Sequence, residues 1–147
     1  MQVDKLKFSR LFELLFKDEL ASLPDGTHLT VAANADPKPE SGHAEIVVQV
    51  QDNGPGLPED ALRLIFDPFA LRKESPLEYG INLMACYFIV HHHGGKITAV
   101  SSPNSGTTFT MRLPINPNQP LQTLGDQDFF QKVLLNDSIW ERLMTSE

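Results

Sequence analysis

Apolar residues recur at Phe8, Leu11, Phe12, Leu15 and Leu20 within the otherwise polar stretch 4–22, a spacing that gathers them on one stripe of a helix. Pro24-Asp25-Gly26 closes that stretch with turn chemistry. Residues 28–33 form a candidate strand, and a polar loop with Pro37 and Pro39 leads out of it to Gly42. Residues 44–51, with Ile46, Val47, Val48 and Val50, carry the strongest strand signal in the chain. Pro58 suits a first helical turn and predicts a short helix reaching Phe66. Residues 70–79 are irregular, whereas 80–93 are largely apolar and stop at Gly94-Gly95, which predicts a helix with a glycine end. Residues 96–101 and 107–113 predict two strands, joined by S-P-N-S-G as a hairpin. This order of elements predicts an α+β fold, a two-layer sandwich with one sheet covered on one face by helices.

The pattern changes after residue 114, which divides the chain into a domain over 1–114 and an extension over 115–147. Pro114, Pro117 and Pro120 punctuate a linker, and residues 127–144 turn amphipathic again, with Phe129, Phe130, Val133, Leu134, Ile139, Trp140 and Leu143. Ser138 and Glu141 have capping-box spacing. This extension either caps its own domain or offers a docking surface to a partner protein or a second copy.

Composition narrows the function. The 147 residues are enough for a real core, and 41 % hydrophobic with 21 % charged residues is ordinary for a soluble domain. No apolar run is long enough for a membrane span, and the N-terminus lacks a signal-peptide core, so a cytoplasmic location is expected. A net charge of −7 argues against nucleic-acid binding, which needs a basic face. The single cysteine, Cys86, excludes an internal disulfide and a zinc site of paired cysteines; halfway along an apolar helix, it reads as a core thiol.

D-N-G-P-G at 52–56 follows the strongest strand directly. It is good turn chemistry, since Asn and Gly tolerate positive φ and Asp bonds nearby backbone. It also suits a nucleotide site, in which Asp52 reads a base and the glycines admit a ligand to the backbone.

Four stretches in order decide between these readings: D-N-G-P-G-L-P (52–58), I-F-D-P-F-A-L-R-K (65–73), G-I-N-L-M-A-C-Y-F-I-V-H-H-H-G-G-K-I (80–97) and S-G-T-T-F-T-M-R-L-P (105–114). Together they resemble the catalytic, ATP-binding domain of bacterial sensor histidine kinases, the GHKL or Bergerat-type fold, over residues 5–114. Phe66, Phe69 and Lys73 are similar to the lid of kinases of the nitrogen-regulation type. The resemblance implies a mixed sheet of about five strands with about three helices on one face. It implies that Asp52 accepts the exocyclic amine of adenine, with Gly54 and Gly56 clearing space for the base. Gly80 would open a helix whose amides meet phosphate, and Thr107 and Thr108 would shape the strand beneath the base. ATP or ADP is the implied cofactor. A phosphoacceptor histidine on a separate helical domain, with a response regulator, completes the implied system.

The chain also departs from the family pattern. Its first helix should carry an asparagine that helps hold magnesium, and alignment of E-L-L-F-K-D-E-L (13–20) puts Lys17 there. An ammonium has no lone pair for a metal, so Lys17 either meets phosphate as a cation substitute or pairs with Glu13; a shift by one residue brings Asp18 to the position instead. Magnesium is therefore in doubt and no metal ligand is assigned. Glu13, four positions earlier, matches the general base of related ATPases, or else it is a surface carboxylate paired with Lys17. The phosphate loop reads E-Y-G-I-N-L (78–83), with Glu78 and Asn82 at two usual glycine positions, which leaves Lys73 and Arg72 as phosphate partners. His93 matches a histidine of the family. Adjacent residues on a helix point about 100° apart, so His91, His92 and His93 cannot all ligate one metal.

The resulting expectation is a sensor histidine kinase ATP-binding domain in two-component signalling, with a weakened phosphate and magnesium site and no autophosphorylation by this chain alone. The alternatives are a non-catalytic Bergerat-fold pseudokinase acting as an interaction module and an ATPase or serine-type kinase using Glu13.

Overall fold

The computed structural model describes residues 3–37, 42–66 and 78–116. The amphipathic 127–144 stretch, Phe69, Arg72 and Lys73 lie outside them. Helix α1 (Lys5–Ser22) is followed by β1 (Leu29–Asp36), β2 (Glu45–Asp52), the short α2 (Glu59–Arg63), α3 (Glu78–His92), β3 (Lys96–Ser101) and β4 (Thr107–Pro114). The order matches the sequence pattern. One boundary differs by several residues: β1 runs to Asp36, because each of its residues pairs with β2 up to Asp36 opposite Glu45.

The strands form one sheet in the order β1-β2-β4-β3, every neighbouring pair antiparallel. The described residues thus give a four-stranded antiparallel sheet where a mixed sheet of about five was expected. Two hairpins, β1–β2 and β3–β4, are joined edge to edge by β2 against β4, and this pair too is antiparallel.

Strand alternation decides which side chains enter the core. Val48 and Val50 of β2, Phe109, Met111 and Leu113 of β4 and Ile97 of β3 turn to one face, where they pack against Leu11 and Leu15 of α1 and Leu83, Cys86 and Val90 of α3. Burying each such large aliphatic or aromatic side chain contributes roughly 1.5–3 kcal/mol.

Helix α1 corrects the expected stripe. Leu11 and Leu15 are fully buried and Phe8 and Phe12 partly so, but Leu20 is 78 % exposed. At 3.6 residues per turn Leu20 lies about 140° round the helix from Leu15. The positions that continue the buried face are Asp18 and Glu19, 2 % and 5 % exposed.

Asp4 caps α1, its carboxylate accepting from the amides of Leu6 and Lys7 at 3.1 and 3.2 Å. Its own amide donates to Nε2 of His93 at 3.0 Å, while Nδ1 of His93 lies 2.7 Å from the carbonyl of Ile89. A ring that accepts at Nε2 and donates at Nδ1 is neutral, in one fixed tautomer. His93 therefore ties the end of α3 to the start of α1. His92 meets Lys7 and lies edge-on to the His93 ring, while His91 stacks on Tyr87, so the three rings have different partners. Among the described residues no group of three His, Cys, Asp or Glu side chains is placed to hold a metal ion.

Candidate functional site

Three strands change from apolar to polar at the same level of the buried sheet face. Val48 and Val50 lead to Asp52, Met111 and Phe109 lead to Thr107, and Ile97 and Ala99 lead to Ser101. Thr107 is paired with Ser101, and the β2–β4 register brings Asp52 beside Thr107. The alternation that builds the core thus ends in one row of hydrogen-bonding side chains.

Asp52 is 2 % exposed. Its Oδ1 accepts from the Gly54 amide at 2.6 Å and its Oδ2 from the Thr107 amide at 2.7 Å. The first bond closes the D-N-G turn and the second fixes that turn to β4. A carboxylate has about four acceptor positions, so each oxygen retains a lone pair for another donor. The turn and ligand readings of Asp52 are compatible.

The rest of the loop is clamped from the β3–β4 turn. The Asn104 amide donates to the Pro55 carbonyl at 2.7 Å, and the Leu57 amide donates to Oγ of Ser101 at 2.7 Å. Gly56, at φ +71°, has the Ser102 carbonyl where a Cβ would stand. Gly106, at φ +74°, has the Asp52 carbonyl in that place. Both positions combine a left-handed backbone with close backbone contact, which only glycine accommodates. At Gly54 a Cβ would come within 2.7 Å of both Asp52 Oδ1 and Leu23. The glycines thus serve the loop's own packing.

A cavity of about 70 Å³ opens against this row. Leu57, Ile65, Leu83 and Phe109 give it apolar walls, Asp52 and Thr107 a polar end, and Asp18 and Glu19 of α1 an acidic side. An apolar slot with a few convergent acceptors suits a flat ligand with a donor on its edge.

The same fold occurs in the catalytic domain of histidine kinase ThkA, with a TM-score of 0.64 at 22 % identity over 80 % of this chain and 72 % of that one. A mycobacterial sensor histidine kinase, MprB, gives 0.60 at 22 % identity over 76 % and 72 %. Signal transduction histidine-protein kinase AfsQ2 of Streptomyces coelicolor is 44 % identical over 88 residues, 57 % of this chain and 16 % of AfsQ2. Sporulation kinase A of Bacillus subtilis is 32 % identical over 111 residues, 76 % of this chain and 17 % of that kinase. The chain thus spans a minor part of the length of these relatives. The sequence profile of the histidine kinase-, DNA gyrase B- and HSP90-like ATPases matches residues 7–117. The chain belongs to this family. It is an ATP-binding catalytic domain of the sensor histidine kinase type.

In this kinase domain the expected residues fall into two groups. Asp52, Gly56 and Thr107 meet at the cavity, with Gly54 in the loop that frames it. Thr108 is opposite Gln51 and, by alternation, belongs to the other face of the sheet. Gly80 lies in the first turn of α3, which starts at Glu78, two residues before the expected start. Glu13 is exposed, 2.9 Å from Arg10, and Lys17 is exposed too; neither lines the cavity, whereas Asp18 and Glu19 do.

Sequence reasoning missed Ser101, Asn53 and Glu19. Asn53 Oδ1 accepts from the His28 amide at 2.8 Å and so holds the start of β1 against the loop. The signal for Ser101 was its place: two residues beyond Ala99 and four beyond Ile97, it continues the inward-facing set of its strand. Among the described residues no helix is long and apolar enough to cross a membrane.

Proposed function

We propose that this domain binds ATP with adenine in the cavity, its exocyclic amine donated to Asp52. The buried Asp52 carboxylate carries this reading, because it holds lone pairs at the polar end of an apolar slot. Gly54 and Gly56 keep the framing loop close, and Thr107 lies beside the amine. The first turn of α3 with Gly80, together with Lys73, would face the phosphates. In a longer protein the γ-phosphoryl group would pass to a histidine on a separate helical domain and then to a response regulator, on the cytoplasmic side where ATP is available. Such transfers rest on positioning and charge neutralisation more than on covalent chemistry by the protein.

A magnesium ion, when bound, supplies much of that neutralisation. The acidic side of the cavity fits it: hard carboxylate oxygens suit a small cation that takes its other ligands from phosphate and water. Asp18 would hold it, with Glu19 beside it, and Lys17 would remain on the solvent side of the helix.

Calorimetric titration with ADP and a non-hydrolysable ATP analogue, with and without magnesium, tests this. Binding is expected to strengthen with magnesium and to disappear in Asp52→Ala. Affinity unchanged in Asp52→Ala would place the base elsewhere. Binding indifferent to magnesium would remove Asp18 as its holder and return Lys17 as a cation substitute.

A further inference from the structure

We propose that Ser101 is a positioning residue that makes the polar end of the cavity accept hydrogen bonds only, and thereby sets its preference for adenine over guanine. The proposal rests on the nucleotide reading of the cavity. Ser101 Oγ has three neighbours: the Leu57 amide at 2.7 Å, the Gly106 carbonyl at 2.9 Å and Thr107 Oγ1 at 3.1 Å. A hydroxyl has one proton and two acceptor positions. The Gly106 carbonyl can only accept, so it takes the Ser101 proton. The Leu57 amide can only donate, so it takes one Ser101 lone pair. The remaining contact is therefore donated by the Thr107 hydroxyl into the second lone pair.

This leaves Thr107 with no free donor. Its hydroxyl proton goes to Ser101 and its amide proton to Oδ2 of Asp52. Asp52, ionised, has only acceptors. Two adjacent residues at the cavity thus offer lone pairs alone, which welcome the amine of adenine and oppose the carbonyl that guanine carries at the same ring position. Buried polar groups of fixed sense discriminate strongly, because the wrong edge leaves them unpaired.

Ser101→Ala releases the Thr107 proton to turn toward a ligand. The ratio of ADP to GDP affinity is then expected to fall about tenfold, the effect of a single hydrogen bond. Ser101→Thr keeps the hydroxyl and should keep the ratio. The measurement is calorimetric titration of the full chain, wild type and both variants, with each nucleotide. A structural role alone would weaken both nucleotides by the same factor; that result, or a Ser101→Thr variant behaving like Ser101→Ala, overturns the proposal. If Ser101→Ala does not fold, Ser101→Cys, close in shape and a weaker hydrogen-bonding group, carries the same comparison. A wild-type chain that binds ADP with an unmoved ratio in the variants fails this proposal alone. A wild-type chain that binds neither nucleotide fails the nucleotide reading and the proposal together.

Discussion

The Asp52 carboxylate lies 2.7 Å from the amide nitrogen of Thr107, 55 residues further along the chain. Its other oxygen takes the amide of Gly54, only two residues away. One side chain therefore closes a local turn and joins that turn to a distant strand. Position and chemistry are coupled: a group that holds the loop together also presents its remaining lone pairs to the cavity.

Asp52→Asn should separate these roles. A carboxamide has one acceptor oxygen and a two-proton donor, so one of the two amides now faces N–H groups. An unsatisfied buried polar group costs about 1–3 kcal/mol, and urea unfolding should show a loss of that size. Asp52→Ala strands both amides and should lose more. An Asp52→Asn chain as stable as wild type would mean that the two bonds contribute little to the fold.

Gly106→Ala tests the join from the opposite strand. A methyl there would overlap the Asp52 carbonyl and would sit 3.0 Å from Oδ1, on a backbone with φ +74°. The overlap with the carbonyl and the left-handed φ cannot be relieved by rotating a side chain, because both belong to backbone. The variant should be destabilised by at least about 2 kcal/mol and should bind ADP weakly even where it remains folded. Asn104, by contrast, already holds φ 62° without being glycine, so Asn104→Gly should be tolerated.

These sites show what was legible in the sequence. The strands were visible through their runs of Val, Ile and Thr between turn residues, and the helices through the apolar spacing of α1 and the glycine stop after α3. The D-N-G-P-G loop was visible as a site through its resemblance to a family. Leu20 was misplaced because counting apolar residues ignores angle, and the acids at 18 and 19 carry no hydrophobic signal although they occupy the buried face. Thr107 and Thr108 were both taken as site residues, although alternation along a strand puts them on opposite faces; the register, with Thr108 opposite Gln51, leaves Thr107 beside Asp52. Ser101 was missed because its role depends on three partners from other segments. The pairing of two hairpins through β2 and β4 is likewise a tertiary event without a local trace.

Asp4 gives a pH prediction at the far end of α1. Bonds from the Lys7 amide, followed by the Lys7 charge and the Leu6 amide, hold its carboxyl below the ordinary 3.8. A depressed carboxyl contributes stability above its ordinary value and loses it as pH falls through the folded value. Asp4→Asn keeps the cap but removes the charge, so wild type should exceed it in stability at neutral pH and lose that advantage in strong acid. A difference between the two that stays constant down to strong acid would sever the cap from the acid response.

Cys86 makes the opposite case, at the alkaline end. The thiol is fully buried, and Sγ–H donates to the Leu11 carbonyl at 3.5 Å. Burial, with the charge of Asp18 adding to it, pushes the thiol up from 9.0 to about 12. At mildly alkaline pH the folded chain therefore holds a protonated, enclosed sulfur, and a disulfide reagent should label it only when α1 opens away from α3. ADP, by binding the folded form, should slow labelling further. The sign for stability follows from the same shift. The neutral thiol is favoured by folding, so this contribution is complete below 9.0 and declines as pH rises toward 12, by about 1.4 kcal/mol per pH unit while the unfolded thiol is ionised and the folded one is not. Unfolding of wild type and Cys86→Ala across that range isolates the effect. The variant starts weaker because of its cavity, and the gap should narrow as pH rises. A constant gap, or rapid labelling of the native chain unaffected by ADP, would show that the thiol is not sealed between the two helices.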